Sequence, residues 1–276
     1  MSGRTMAEGR ADGNTDRRID RSVDGRTDSR GEPLLRVTEL AAWYGETQAL
    51  QRIDIEVRAG EVVCLLGRNG AGKTTTLRAV MGLIGPAGFA GRCTGRVEIA
   101  DPKGGAARVQ ALGRPPEEVA RLGVAYCPEE RGIYASLTVE ENLLLPPVLA
   151  SGGLSLAEIF QLFPNLQARR ASGGAKLSGG EQQMLAIARI LRSGAKLLLL
   201  DEPTEGLAPV IVQAIGHTID RLRGRGFTIL MVEQNFRFAA RMGDRFYVID
   251  EGRTALHLTR AELDAEPSRA EALLGV

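Results

Sequence analysis

The stretch from Val62 to Met81 constrains this chain more than any other. Five apolar residues, Val62-Val63-Cys64-Leu65-Leu66, lead into Gly67-Arg68-Asn69-Gly70-Ala71-Gly72-Lys73-Thr74, and a helix-compatible run from Thr75 to Met81 follows. The middle segment fits G-x-x-x-x-G-K-[ST], the pattern of a phosphate-cradling loop between a buried strand and a helix. Such a loop ends at a helix N-terminus, where free N–H groups and the macrodipole attract phosphate. Gly67, Gly70 and Gly72 let the backbone approach closely and adopt positive φ. Lys73 is expected to reach β- and γ-phosphates and the Thr74 hydroxyl to bind Mg2+. Arg68, Asn69, Ala71 and Thr75 complete the expected cradle. A glycine-rich surface turn is the plain alternative, and the strand before and helix after argue against it.

A phosphate loop does not by itself separate kinases, GTPases, motors and transporters. A second segment does. Leu177-Ser178-Gly179-Gly180-Glu181-Gln182-Gln183 opens an amphipathic helix with apolar residues at Met184, Leu185, Ile187, Ala188 and Leu191. Leu197-Leu198-Leu199-Leu200-Asp201-Glu202-Pro203 follows, a short apolar strand ending in two carboxylates. LSGGEQQ between a phosphate loop and LLLLDEP resembles the ATPase subunits of ABC transporters, and the resemblance runs from about Leu34 to the C-terminus.

Composition agrees with a globular chain: 276 residues, 43% hydrophobic and 25% charged. A net charge of +1 argues against a nucleic-acid binder, which usually shows a basic face. The three cysteines, Cys64, Cys93 and Cys127, lie far apart and suggest neither a metal knuckle nor a disulfide framework. The two histidines, His217 and His257, cannot build a His-rich metal site. No apolar stretch approaches the ~20 residues of a spanning helix, so membrane spans are expected from other subunits.

Residues 1–33 are rich in Arg, Asp, Gly, Ser and Thr, and Asp12-Gly13-Asn14-Thr15-Asp16 is echoed by Asp24-Gly25-Arg26-Thr27-Asp28. Such a segment buries too little apolar area to offset its ordering entropy, which predicts a disordered tail; a partner-binding tail is the alternative. Period-two alternation over 35–40, 53–57 and 95–99 predicts antiparallel strands, and 123–127 reads as a more buried strand. A short helix is expected over 117–122. The region 136–192 reads as mostly helical, with breaks at 152–153 and 173–174. Strands and helices then alternate over 197–200, 209–223, 227–232, 235–242 and 246–250, the signature of a parallel sheet flanked by helices. The expected fold class is α/β, a P-loop NTPase of the ABC ATPase type spanning 34–276. By resemblance it has a RecA-like core, an antiparallel β subdomain and an inserted helical subdomain over about 136–192.

The resemblance also implies roles. Tyr44 matches the aromatic that stacks on adenine, with Tyr44 or Trp43 as a core aromatic the alternative. Asp201 would bind Mg2+ directly or through water, and Glu202 would act as the catalytic base. Two adjacent buried carboxylates without a cation would be costly, which disfavours a purely structural role. Ser178, Gly179, Gly180 and Glu181 would close on ATP held by a facing subunit, giving a head-to-tail dimer with sandwiched ATP. Ser178 as a helix N-cap in a box with Glu181 is compatible with that.

Three positions depart from the usual pattern. Glu129 stands where most relatives carry Gln as an oxygen ligand near Mg2+, and Ala208 where Asp is common. Gln234 occupies the place of the switch histidine; it can donate a hydrogen bond to a γ-phosphate but cannot become cationic. Pro128-Glu129-Glu130-Arg131, the run 137–143, the run 201–209 and Val232-Glu233-Gln234-Asn235 together look like the second ATPase subunit of branched-chain (hydrophobic) amino acid importers. Importers for urea and short amides are similar, and the segment 92–114, with extra residues around Pro102-Lys103-Gly104-Gly105, fits these relatives poorly. The implied partners are membrane permease subunits, a second ABC ATPase or a second copy, and indirectly a periplasmic solute-binding protein. The implied place is the cytoplasmic face of the cell membrane, and the surface around Glu129 with the following loop 130–139 would push on helices of the permease. A soluble ABC ATPase acting on ribosomes or DNA repair usually carries tandem units or coiled-coil insertions, which this chain lacks; LSGGEQQ disfavours a P-loop NTPase outside the family.

Overall fold

The computed structural model describes residues 32–85, 91–100 and 108–275. The expectations for residues 1–31 and for the extra residues around Pro102 lie outside the described residues. Among the described residues the chain forms ten strands: β1 Leu35–Tyr44, β2 Thr47–Val57, β3 Val62–Leu66, β4 Arg92–Ala100, β5 Arg108–Gln110, β6 Val124–Cys127, β7 Leu197–Asp201, β8 Thr228–Glu233, β9 Arg245–Asp250 and β10 Arg253–Thr259. The α-helices are α1 Lys73–Val80, α2 Pro116–Arg121, α3 Val139–Leu144, α4 Leu156–Leu162, α5 Pro164–Ala168, α6 Gly179–Ile190, α7 Pro209–Gly224, α8 Phe236–Met242, α9 Arg260–Ala265 and α10 Ser268–Leu274.

The strands join in the order β5-β4-β1-β2-β10-β9-β3-β8-β7-β6. β5, β4, β1 and β2 are antiparallel, whereas β6, β7, β8, β3 and β9 are parallel along successive pairs. One parallel pair, Arg253 with Arg52, joins the two parts.

The parallel strands are apolar at almost every position because both of their faces are covered. In β3, Val62, Cys64 and Leu66 face one core while Val63 and Leu65 face another. β7 and β8 divide in the same way, with Leu198, Leu200, Ile229 and Met231 on the first side and Leu197, Leu199, Leu230 and Val232 on the second. The first core is closed by residues of α3 to α8, such as Leu143, Ile159, Leu185, Ile215 and Phe238. The second is closed by α1, α2 and the antiparallel strands, through Leu77, Val119, Leu40 and Ile55. The phosphate loop and the turns after β7 and β8 leave the same end of this sheet, since β3 pairs with β8 and β8 with β7 in parallel register. That placement, at the carboxyl ends of parallel strands, is where α/β sheets hold ligands.

Between β6 and β7 the chain is helical, and the helix starts explain its breaks. Thr138, Ser155 and Ser178 each cap a helix in a reciprocal box with Glu141, Glu158 and Glu181. No helix of the described residues is long and apolar enough to cross a membrane.

Candidate functional site

The loop after β3 folds tightly because its glycines are sterically required. Gly72, the N-cap of α1, has φ 107°, and a Cβ there would stand 2.5 Å from Leu50 Cδ2. At Gly67 a Cβ would run into the Ile249 carbonyl oxygen. Lys73, only 4% exposed, extends from the first turn of α1 and donates to the Arg68 carbonyl at 3.1 Å. Its Nζ lies 3.5 Å from Glu202 Oε1, an ion pair almost closed to solvent.

The cavity over this loop has a volume of about 300 Å3. Ala49, Asn69, Gly70, Gly72, Lys73, Thr74 and Thr75 line it together with Glu129, Glu202, Glu205 and Gln234. Thr74 Oγ1 donates to Asp201 Oδ1 at 2.9 Å, and the Tyr126 hydroxyl donates to Asp201 Oδ2 at 2.8 Å. Burial raises the Asp201 pKa; the Tyr126 and Thr74 hydroxyls oppose the rise, and the charges of Glu202 and Glu129 add to it. Glu205 is raised as well, first by sharing a hydrogen bond with Glu202, then by burial and by the charges of Glu202 and Glu129. The cavity therefore holds a cluster of carboxylates opposite a single ammonium, and a polyanion entering it meets attraction and repulsion together.

Glu202 follows directly on β7 and has φ 46°, a left-handed conformation that costs a non-glycine residue free energy. Its N–H donates to the Val232 carbonyl at 3.0 Å, and Gln234 Nε2 donates to its Oε2 at 2.5 Å. Gln234 thus sits beside Glu202 and lines the same cavity as Lys73, whereas neither His217 in α7 nor His257 in β10 lines it.

Other predicted residues are distributed differently. Arg68 points its guanidinium away from the cavity, donating to the Leu274 carbonyl at the C-terminal end of α10 at 3.4 Å. The Ala71 N–H donates to the Arg68 carbonyl, so it stabilises the loop's own turn. Tyr44 ends β1, 39% exposed and outside the cavity lining, which rules out a core aromatic at this position. Trp43 is half-buried under the Arg92 guanidinium, 4.5 Å from its ring centre. Ser178, Gly179, Gly180 and Glu181 do not line the phosphate-loop cavity of their own chain. Ser178 caps α6, accepting from Glu181 N while its own N–H donates to Glu181 Oε2 at 2.8 Å. Sequence reasoning missed Glu205, Ala49 and Tyr126. The strand that carries Tyr126 is expected over 123–127, but neither its pairing with the strand ending in Asp201 nor its register against Leu199 is legible in the sequence.

The model for the family described as ABC transporter matches residues 50–205. The chain is 39% identical to the high-affinity branched-chain amino acid transport ATP-binding protein BraG of Pseudomonas aeruginosa, over 88% of this chain and 100% of that protein. The chain belongs to the ABC transporter ATP-binding family. A second relative, a probable branched-chain amino acid transport ATP-binding protein LivF of Archaeoglobus fulgidus, is 35% identical over 83% of this cassette and 94% of its own length. Among solved structures, a nucleotide-free ATP-binding cassette from an ABC transporter superposes with a TM-score of 0.72, covering 89% of this chain and 99% of its own at 22% identity. The cassette fold and the ATPase class are therefore established for this chain.

Proposed function

We propose that this cassette is the ATP-hydrolysing motor of an importer for branched-chain or other hydrophobic amino acids, acting through separate permease subunits at the cytoplasmic face of the cell membrane. The observation that carries the solute assignment is the identity to BraG over the whole of that protein. The cavity chemistry supports the motor.

ATP phosphates bind at the start of α1, and Lys73 exchanges Glu202 Oε1 and the Arg68 carbonyl for β- and γ-phosphate oxygens. That exchange frees Glu202 to accept a hydrogen bond from the attacking water and take its proton as the bond from the γ-phosphorus to the bridging oxygen breaks. Gln234, bonded to Glu202 Oε2, orients that carboxylate and stands ready to donate to a γ-phosphate oxygen. Thr74 Oγ1 and Asp201 Oδ1 form a pair of hard oxygen donors 2.9 Å apart, suited to Mg2+, with Glu129 at the cavity wall as a further oxygen ligand. Among the described residues no three acidic, His or Cys side chains form a complete metal site, so phosphate and water oxygens would fill the remaining positions. The ion, when bound, neutralises phosphate charge.

Tyr44 stacks on adenine from the end of β1. Ser178, Gly179, Gly180 and Glu181 present the N-terminus of α6 to ATP on a facing ATPase, a second subunit or a second copy. A periplasmic binding protein delivers the solute on the other side of the membrane.

The test is uptake of labelled leucine and labelled urea by the assembled transporter, comparing wild type with Lys73→Ala and Glu202→Gln. Leucine uptake lost in both variants is expected. Urea uptake in its place would overturn the solute assignment, and leucine uptake indifferent to both variants would overturn the motor.

A further inference from the structure

Glu233 is the last residue of β8 and is 2% exposed, yet no step above uses it. Its Oε1 accepts from the Thr204 N–H at 3.2 Å and from the Thr204 hydroxyl at 2.8 Å. Its Oε2 accepts from the Asn235 N–H at 3.3 Å. Among the described residues no ion pair to Glu233 is present. A buried carboxyl with no cation is costly, so its retention needs a reason beyond packing.

The two residues it grips flank the chemistry. Thr204 lies two positions after Glu202, and Asn235 lies one position after Gln234. Asn235 also caps α8, its Oδ1 accepting from the Phe238 N–H at 3.1 Å. Glu202 in turn donates its N–H to the Val232 carbonyl, one residue before Glu233, and accepts from Gln234. The turn after β7 and the turn after β8 are thus laced together at alternate residues: 202 with 232 and 234, and 204 with 233. Glu202 holds its left-handed φ of 46° within this lacing, and a strained residue persists only where its surroundings over-determine it.

We propose that Glu233 is a positioning residue, a clasp that locks the turn carrying Glu202 to the end of β8 and so sets where Glu202 and Gln234 point in the cavity. This rests on the hydrolytic role given to Glu202 above. The clasp acts through geometry: loss of the Thr204 bonds lets the Glu202 turn relax, and displacement of a catalytic group by about 1 Å can cost on the order of a hundredfold in rate. The phosphate loop contributes none of these bonds, so Lys73, Thr74 and the loop amides still hold the nucleotide and the loss falls mainly on turnover.

The experiment is steady-state ATPase of the full chain in the assembly in which wild type turns over, with kcat separated from KM. Glu233→Ala is expected to lower kcat at least about tenfold with KM within about twofold. Glu233→Gln keeps an oxygen for Thr204 and is expected to recover most of the loss. Thr204→Val removes the hydroxyl, and added to Glu233→Ala it is expected to cost nothing further, because both break one clasp. Wild-type kcat in Glu233→Ala, no recovery in Glu233→Gln, or losses that multiply in the double variant would each overturn the proposal. If the alanine variant does not fold, Thr204→Val alone decides: its kcat falls at constant KM, or the clasp is refuted. Glu202→Gln runs alongside. If it turns over normally, both readings fall; if it is silent while Glu233→Ala is fast, only the clasp falls.

Discussion

Replacing Glu233 by Gln should change how the stability of this cassette depends on pH. Burial is the main cause that raises the Glu233 carboxyl from 4.5 to about 7; its hydrogen bonds from Thr204 and Asn235 work against the rise and the charge of Glu202 adds to it. The buried Cys64 thiol also faces this carboxyl and is itself pushed up, first by burial and then by the Glu233 charge. Below pH 4.5 the carboxyl is protonated whether the chain is folded or not, and ionisation costs nothing. Between 4.5 and about 7 the unfolded chain releases the proton while the folded chain keeps it, so stability falls as pH rises. Above about 7 the folded chain carries the full cost of a buried charge. At ~1.4 kcal/mol per tenfold change in a protonation equilibrium, the cost is about 3 kcal/mol. Glutamine cannot ionise and is free of this term. Urea unfolding of wild type and Glu233→Gln at pH 5, 6, 7 and 8 measures it, since other titrating groups are common to both proteins. Because part of that cost is already present at pH 5, the variant's stability relative to wild type should rise by about 2.5 kcal/mol from pH 5 to 8. A difference independent of pH would show that Glu233 ionises as an ordinary surface carboxyl does, and would refute the reasoning.

Gln234→Ala should slow ATP turnover, because a donor placed at developing charge in a dry site is worth roughly 3 kcal/mol, whereas Gln234→His should retain substantial activity; an alanine variant as fast as wild type would remove Gln234 from the mechanism. Ala208 caps α7 with no side-chain hydrogen bond, so Ala208→Asp should stabilise the fold by about 1 kcal/mol in urea unfolding. Removal of residues 1–31, suggested by their low apolar content, should leave the melting temperature and nucleotide affinity unchanged, and a drop of several degrees would show that the segment packs on the cassette.

The parts of the fold that were readable in the sequence are those whose physics is local or one-dimensional. β3, β7 and β8 are apolar at nearly every position because both faces are buried, and that pattern needs no knowledge of neighbours. The glycine-rich turn and the Ser178–Glu181 box are fixed by spacing alone. β10 was not foreseen: its alternation is weak, and it is held by antiparallel pairing with β9 and by one residue pair to β2. α9 and α10 are short and gain their order from tertiary packing, Leu263 and Ala270 being buried among residues distant in sequence. Within the site, Lys73, Thr74, Asp201 and Glu202 follow from motif and strand end. Tyr126, Glu205 and Glu233 do not, because their contacts depend on the register of β6 against β7 and of β7 against β8. A difference of one residue in either register would turn Tyr126 or Glu233 to the opposite face, and Glu205 lies in the turn after β7, whose path no local pattern fixes.

The charge balance of the cavity carries one more consequence. Glu129, Glu202 and Glu205 line it with Lys73 as their counterpart, and Asp201 stands behind Thr74. A carboxylate about 6 Å from a phosphate oxygen opposes it by roughly 3 kcal/mol at an effective dielectric constant of ~20. Several such terms outweigh what one ammonium supplies, so free ATP should bind poorly and ATP accompanied by a divalent cation well. Titration with a fluorescent ATP analogue should give at least about tenfold weaker binding in EDTA than in magnesium. Glu205 separates repulsion from metal ligation, because it is exposed and outside the ligand set assigned to Thr74, Asp201 and Glu129. Glu205→Gln should therefore strengthen binding in EDTA by several-fold and change binding in magnesium little. If Glu205→Gln left both affinities unaltered, or weakened only the magnesium-dependent one, charge crowding would not govern nucleotide entry, and Glu205 would belong among the metal ligands.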